Sequence, residues 1–403
     1  MSLTLLIDLD DTLLGNKMDT FIPAYLGALG KHIANYADPG EMTQVMLAAT
    51  GQMFANNRPD QTLKQVFDPA FYPPLGLTET QMREPIRQFY AQVFPTLQGV
   101  TQFRPEAIEL IETAFARGYR VGIATNPLFP RTAIHQRLEW AGLSPQKYPF
   151  ALIPSYETFH FAKPNPAYFA EFLGLIGWPD GPVLMIGNDP DHDVRGARLM
   201  GLPVFLICEG TDEAPAELPA PSGFGPLTDV IPWLDSVPEA HLRPDFSSTS
   251  ALTAILRASP ASLDGLTADL PEHVWPQRPQ PNEWSLTEIA CHLRDVEREI
   301  NLPQLRLLIS DDDPLIPGIN TDAWVAERDY HSQDGPQALK DFTSARIETL
   351  ALLHELTDAD WQRSARHAVL DSIDIKELVS SIAHHDRLKV RRTFQVRRTF
   401  APT

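Results

Sequence analysis

Leu3-Thr4-Leu5-Leu6-Ile7-Asp8-Leu9-Asp10-Asp11-Thr12 opens with an apolar run that stops on a cluster of carboxylates. A run of this length and β-tolerance reads as a buried strand, and its acidic end falls where that strand stops. At the carboxyl edge of a parallel α/β sheet, where ligands bind, repelling carboxylates need a cation or a proton-transfer task. Further apolar runs stop at Thr125 (from Arg120), at Gly187 (from Val183) and after Ile207 (from Pro203). Between them lie the helical patterns Pro105 to Gly118 and Asn165 to Ile176. This alternation predicts a doubly wound parallel sheet of the Rossmann-like α/β class.

The interval from Asp8 to Thr125 is far longer than one crossover requires, so residues 16–97 read as an inserted helical subdomain. The segment 98–236 returns to the sheet, and 237–248 reads as a linker. From 249 onward no strand pattern appears. Ser285-Leu286-Thr287-Glu288 reads as a capping box opening a helix to about Ile309, with Pro303 marking a kink or break. Gln337 to Leu356, a stretch opened by Asp374-Ile375-Lys376-Glu377, and Ala251 to Leu256 supply the other helices of a predicted four-helix bundle. Near the end, Val390-Arg391-Arg392-Thr393-Phe394 is repeated as Val396-Arg397-Arg398-Thr399-Phe400, read as a helix end with a frayed extension.

At 403 residues the chain is long enough for two or three domains. A net charge of −19 argues against a nucleic-acid partner, because phosphate recognition needs a basic surface. The two cysteines, Cys208 and Cys291, make no disulfide framework or cysteine zinc site. No signal-peptide pattern and no membrane-spanning apolar run occur, so the expectation is a cytoplasmic protein without a membrane partner.

Asp8-x-Asp10-x-Thr12, Thr125-Asn126, Lys163-Pro164 and Gly187-Asn188-Asp189-Pro190-Asp191-His192-Asp193 resemble the four ordered motifs of the haloacid dehalogenase superfamily. The insertion falls where that family carries a type 1 helical cap. The resemblance implies a Mg²⁺-dependent phosphatase for a small phosphorylated metabolite. Asp8 would attack phosphorus to form an aspartyl phosphate. Asp10 would protonate the leaving oxygen and then deprotonate water; an acid at this position implies phosphotransfer, since the dehalogenase branch lacks it. Lys163 would neutralise Asp8 and the phosphate, Thr125 and Asn126 would hold a phosphoryl oxygen, and Thr12 would order the loop. The fourth motif departs from the usual Gly-Asp. With Asp8 and Asp10 in the implied metal set, either Asn188 faces the metal through its neutral carbonyl, or the register shifts and Asp189 does; keeping a formal charge at the ion favours Asp189, with Asp193 behind it.

Residues 249–403 are similar to DinB-like (DinB/YfiT) bundles through Trp284 to Leu293, Asp341 to Arg346 and Ile382 to Arg387. The family's three-histidine site implies His292 and His385 as ligands, but Lys389 stands where the i, i+4 histidine belongs. The expectation is therefore polar bundle residues without a stoichiometric transition metal, unless His384, Asp386 or His367 completes the set. The bundle would be an accessory or dimerisation module of a homodimer. The alternative makes the bundle the functional unit, as a metal-dependent or thiol-linked transferase, and the first half a regulatory or non-catalytic binding domain.

Overall fold

Thr4–Ile7 forms β1, with all four residues buried. The computed structural model describes residues 3–208, 219–368 and 371–400. These divide into two compact units, one of Met1–Asn57, Gln61–Phe169 and Pro179–Asp245, the other of Arg58–Asp60, Ala170–Trp178 and Phe246–Thr403.

In the first unit β1 pairs in parallel with β2 (Arg120–Ile123) and β3 (Val183–Gly187). Beyond β3 lie β4 (Val204–Ile207) and β5 (Gly223–Gly225), in the order β2-β1-β3-β4-β5. Strand order reverses at β1, so Asp8 leaves the sheet at the switch point, where a crevice opens at the carboxyl edge. β5 is a strand that the sequence pattern missed, because Gly-Phe-Gly lacks an apolar run and lies in a Pro/Gly/Ser-rich stretch. Gly223 is required there: a Cβ would meet Trp233 at 2.5 Å.

The insertion builds α1 (Met18–His32), α2 (Pro39–Ala55), α3 (Leu63–Phe71) and α4 (Glu79–Gln88). Asp38 caps α2 by accepting from the Gly40 and Glu41 amides, while Thr62-Gln65 and Thr78-Gln81 form capping boxes on α3 and α4. Phe21, Tyr25, Phe89 and Phe94 pack as an aromatic cluster with Trp140. The insertion closes where the Gly15 and Gln102 backbones exchange hydrogen bonds of 2.9 and 2.6 Å. The chain then continues through α5 (Pro105–Ala116), α6 (Arg131–Trp140), α7 (Pro166–Leu175), α8 (Gly196–Leu199) and α9 (Val230–Ser236). Residues 237–245, read as linker, belong to this unit, with Leu242 buried in its core.

The second unit holds α10 (Thr249–Thr267), α11 (Leu286–Val296), α12 (Leu302–Ser310), α13 (Trp324–Glu327), α14 (Gly335–His354) and α15 (Ile375–Phe400). The Ser285–Glu288 capping box is present, and a π-turn at Glu297–Asn301 separates α11 from α12 just before Pro303. The strand-free expectation is corrected: β6 (Leu315–Ile316), β7 (Ser364–His367) and β8 (Asp371–Asp374) form a small mixed sheet. These strands are short, and their residues carry no apolar run that period-based reading detects. The repeated tail is also corrected, since both copies continue α15, burying Val390, Thr393 and Val396. Among the described residues no helix is long and apolar enough to cross a membrane.

Candidate active site

Asp8 follows β1 and is held by its amide to the Ile186 carbonyl of β3 at 2.8 Å. Asp11 then takes φ = +57°, a left-handed conformation that Asp tolerates, and turns the acidic loop over the sheet edge. Lys163 donates from Nζ to Asp8 Oδ1 (2.7 Å) and to Asp193 Oδ1 (2.6 Å), with its side chain only 2% exposed. Burial works against this ammonium, yet the charges of Asp193 and Asp8 outweigh it and hold its pKa above the usual lysine range. For Asp8, burial dominates and, with Asp193 and Asp10 nearby, pushes the carboxyl up to about 7 despite Lys163.

Asp10 accepts from Arg137 Nη1, from Asn16 Nδ2 at 2.7 Å, and more distantly from Thr125 Oγ1 at 3.5 Å. Arg137 is the residue that sequence reading missed. It is 1% exposed and lies over the Phe129 ring, 4.6 Å from its centroid. The signal was present: Ala133, Ile134, Arg137 and Leu138 form one buried stripe of α6, and a guanidinium on such a stripe requires a buried acid.

Asn126 does not direct its amide as expected. Its Oδ1 accepts from the Lys163 amide (3.2 Å) and its Nδ2 donates to the Lys163 carbonyl (3.3 Å), so it fixes the backbone that carries the lysine. Tyr168 donates to the Thr125 carbonyl at 2.9 Å and steadies the same loop.

In the fourth motif, geometry runs against the favoured register. Asp189 Oδ1 caps the following turn, accepting from the Asp191 (2.8 Å) and His192 (2.9 Å) amides, and Oδ2 contacts His192 Nδ1 at 3.0 Å. Although burial opposes it, this set holds the Asp189 carboxyl down at about 2. Asn188, directly after β3, instead accepts from Thr12 Oγ1 at 3.1 Å, which ties it to the Asp8 loop. Asp193 Oδ2 accepts from the Asp189 amide at 3.0 Å while Oδ1 faces Lys163. Among the described residues, no group of three or more His, Cys, Asp or Glu side chains is arranged to hold a metal ion.

Above these groups opens a cavity of about 600 Å³, lined by Asp8, Lys163, Asn188 and Asp193 below and by insertion side chains above.

In the bundle, His292 and His385 come together, Nε2 to Nε2, at 3.1 Å. Burial first, then Lys389, lowers both imidazoles to about 3. Lys389 rests on the Trp284 ring 3.8 Å from its centroid, and burial lowers its ammonium to about 8. Asp386 belongs to another network: Arg346 pairs with it and with Glu297, at 2.8 Å, and donates to the Leu256 carbonyl at 3.0 Å. That buried guanidinium links α10, the π-turn, α14 and α15.

Residues 3–201 match the profile of haloacid dehalogenase-like hydrolases, and residues 255–391 that of the DinB superfamily. The chain thus joins a haloacid dehalogenase-like domain to a DinB-superfamily domain. Over 159 residues it is 31% identical to a phosphoglycolate phosphatase of Rhodospirillum rubrum, covering 39% of this chain and 62% of that protein. Over 129 residues it is 30% identical to a phosphoserine phosphatase of Thermus thermophilus, covering 32% of this chain and 49% of that protein. The chain therefore spans about half to three fifths of these relatives' length. YfiT of Bacillus subtilis, a four-helix bundle, aligns at 17% identity and TM-score 0.35 over 39% of this chain and 89% of YfiT.

Proposed function

We propose that the first domain is a Mg²⁺-dependent phosphomonoester hydrolase working through an aspartyl phosphate on Asp8. The observation carrying this reading is the Lys163 ammonium placed between Asp8 and Asp193 on the cavity floor. A carboxylate positioned by a buried cation is a nucleophile whose charge does not repel an incoming phosphate.

Asp8 Oδ attacks phosphorus as the bond to the leaving oxygen breaks, and Asp10 gives that oxygen a proton. Asp10 then takes a proton from water, whose oxygen attacks phosphorus and releases inorganic phosphate with Asp8 regenerated. Lys163 screens the phosphoryl charge, Asn126 holds the lysine's backbone, and Arg137 with Asn16 fixes the Asp10 carboxylate.

The donor set suits a hard cation. Asp8 and Asp193 share the single ammonium of Lys163, which leaves one carboxylate charge on the cavity floor without a counter-ion from the lysine. Asp8 and Asn188 would hold the ion, with Asp193 behind them; Mg²⁺ characteristically takes one or two carboxylates and completes its shell from substrate phosphate and water. When bound it would supply charge neutralisation at the phosphoryl oxygens. A chain of 403 residues with only two cysteines suits a reducing, cytoplasmic setting. The bundle has less to support it as the active half, since among the described residues its histidine pair meets no third ligand and Asp386 is committed to Arg346, the side chain of His367 lying outside the described residues.

The test is a screen of phosphorylated metabolites with the full chain, Mg²⁺ present and absent, alongside Asp8→Asn. Turnover that needs Mg²⁺ and vanishes in the variant is expected; wild-type-like turnover by Asp8→Asn would overturn the reading.

A further inference from the structure

The cavity floor is charged, and the start of the insertion adds exposed Lys17 and Asp19, but the rest of the insertion's contribution to its walls is uncharged. From Ile22 through Tyr90, the described residues that line it carry no formal charge, and most are aliphatic or aromatic, among them Leu26, Leu47, Phe67 and Phe71. Their polar groups are largely spent. Thr50 Oγ1 donates to its own helix at the Met46 carbonyl (2.8 Å), and the Tyr25 and Tyr90 hydroxyls bond each other (3.0 Å). Three lining residues, Met18, Leu47 and Phe54, are also among the chain's exposed large hydrophobics, with Leu47 55% exposed. An apolar surface left open inside a cavity continuous with a charged floor calls for an occupant with the same two-ended character.

We propose that the substrate is a phosphomonoester whose alcohol portion is bulky and predominantly apolar. Its phosphate would meet Asp8 and Lys163, and its hydrocarbon or aromatic body would lie against Leu26, Leu47, Phe67 and Phe71. This rests on the phosphatase reading and narrows it. Beside Leu26, Leu47, Phe67 and Phe71, a second carboxylate or an ammonium, such as phosphoglycolate or phosphoserine carries, finds no opposite charge and would lose its hydration; the insertion's charged lining residues, Lys17 and Asp19, are exposed. The cavity volume of about 600 Å³ lies within the range of sites for ligands far larger than either.

The experiment is a series of n-alkyl phosphates from ethyl to hexyl, with 2-phosphoglycolate as comparison, assayed on the full chain with Mg²⁺. kcat/KM is expected to rise roughly threefold per methylene and to exceed the phosphoglycolate value from butyl onward. Leu47→Glu, at an exposed position that folding tolerates, should flatten the series. A flat or falling series beside efficient phosphoglycolate hydrolysis overturns the substrate class while leaving the phosphatase reading intact. If no ester is turned over, the phosphatase reading fails, and calorimetric binding of hexyl against ethyl phosphate decides the chamber alone. Tighter hexyl phosphate supports an apolar occupant, and equal affinity removes it.

Discussion

Arg137, buried on α6, donates from Nη1 to Oδ2 of Asp10, one turn beyond the β1 strand. The pair joins two segments more than a hundred positions apart and fixes the carboxylate proposed to move protons. Arg137→Met should lower kcat/KM on an aryl phosphate by about 10²-fold, since a small misplacement of a catalytic group costs that much. Arg137→Lys should recover part of it. Unaltered kcat in Arg137→Met, with the fold intact by circular dichroism, would remove Arg137 from the positioning of Asp10.

Lys163→Met should destabilise the chain by about 3–5 kcal/mol, because two buried carboxylates lose their shared cation. The loss should be larger at pH 8 than at pH 6: without the lysine the Asp8 carboxyl rises further, the folded state binds the extra proton, and stability falls as pH rises through that value. Mg²⁺ should restore part of the melting temperature. Thermal scans showing a pH-independent loss would contradict this charge argument.

Asn188→Ala should weaken Mg²⁺ binding more than Asp189→Asn, and Asn188→Asp should strengthen it by restoring a charged oxygen ligand. The structural basis is the Thr12–Asn188 bond beside the Asp8 loop, against the local capping role of Asp189. A metal titration with the opposite order would return the ion to Asp189.

The bundle should lose stability in acid. His292 and His385 have folded pKa values pushed down to about 3 from an ordinary 6.5, so between those limits the unfolded chain binds more protons. Stability therefore rises with pH across that window and is lost as pH falls; for fully buried His292 the loss is about 2 kcal/mol at pH 5. His292→Phe should flatten the dependence of unfolding on pH between 4 and 7. An unchanged slope would mean that this imidazole takes up its proton equally in the native and unfolded states.

Lys389→His should place an imidazole one helical turn after His385, near His292, and create Zn²⁺ or Ni²⁺ affinity absent from the parent. Elemental analysis finding stoichiometric metal in the unaltered chain would require a ligand set beyond His292 and His385.

The sequence alone determined the elements whose signal is local. Apolar runs ending at Asp8, Thr125 and Gly187 define strands, the length between the first two defines the insertion, and Ser285 with Glu288 defines a helix start. Each reflects period or capping within a few residues, which one stretch of chain specifies by itself. What the tertiary structure decided are pairings between distant segments. β5 and the strands of the small sheet exist through backbone hydrogen bonds to neighbours, not through apolar runs of their own. Arg137 meets Asp10, Asn126 meets the Lys163 backbone, and Thr12 meets Asn188 only after the sheet has aligned the strand ends. Asn188 and Asp189 differ by one position on a turn, and Asp189, although it lines the cavity, has its carboxylate engaged by nearby backbone amides and His192. Formal charge favours Asp189 as a ligand, whereas hydrogen-bond satisfaction, which depends on folded geometry, assigns it to its own turn.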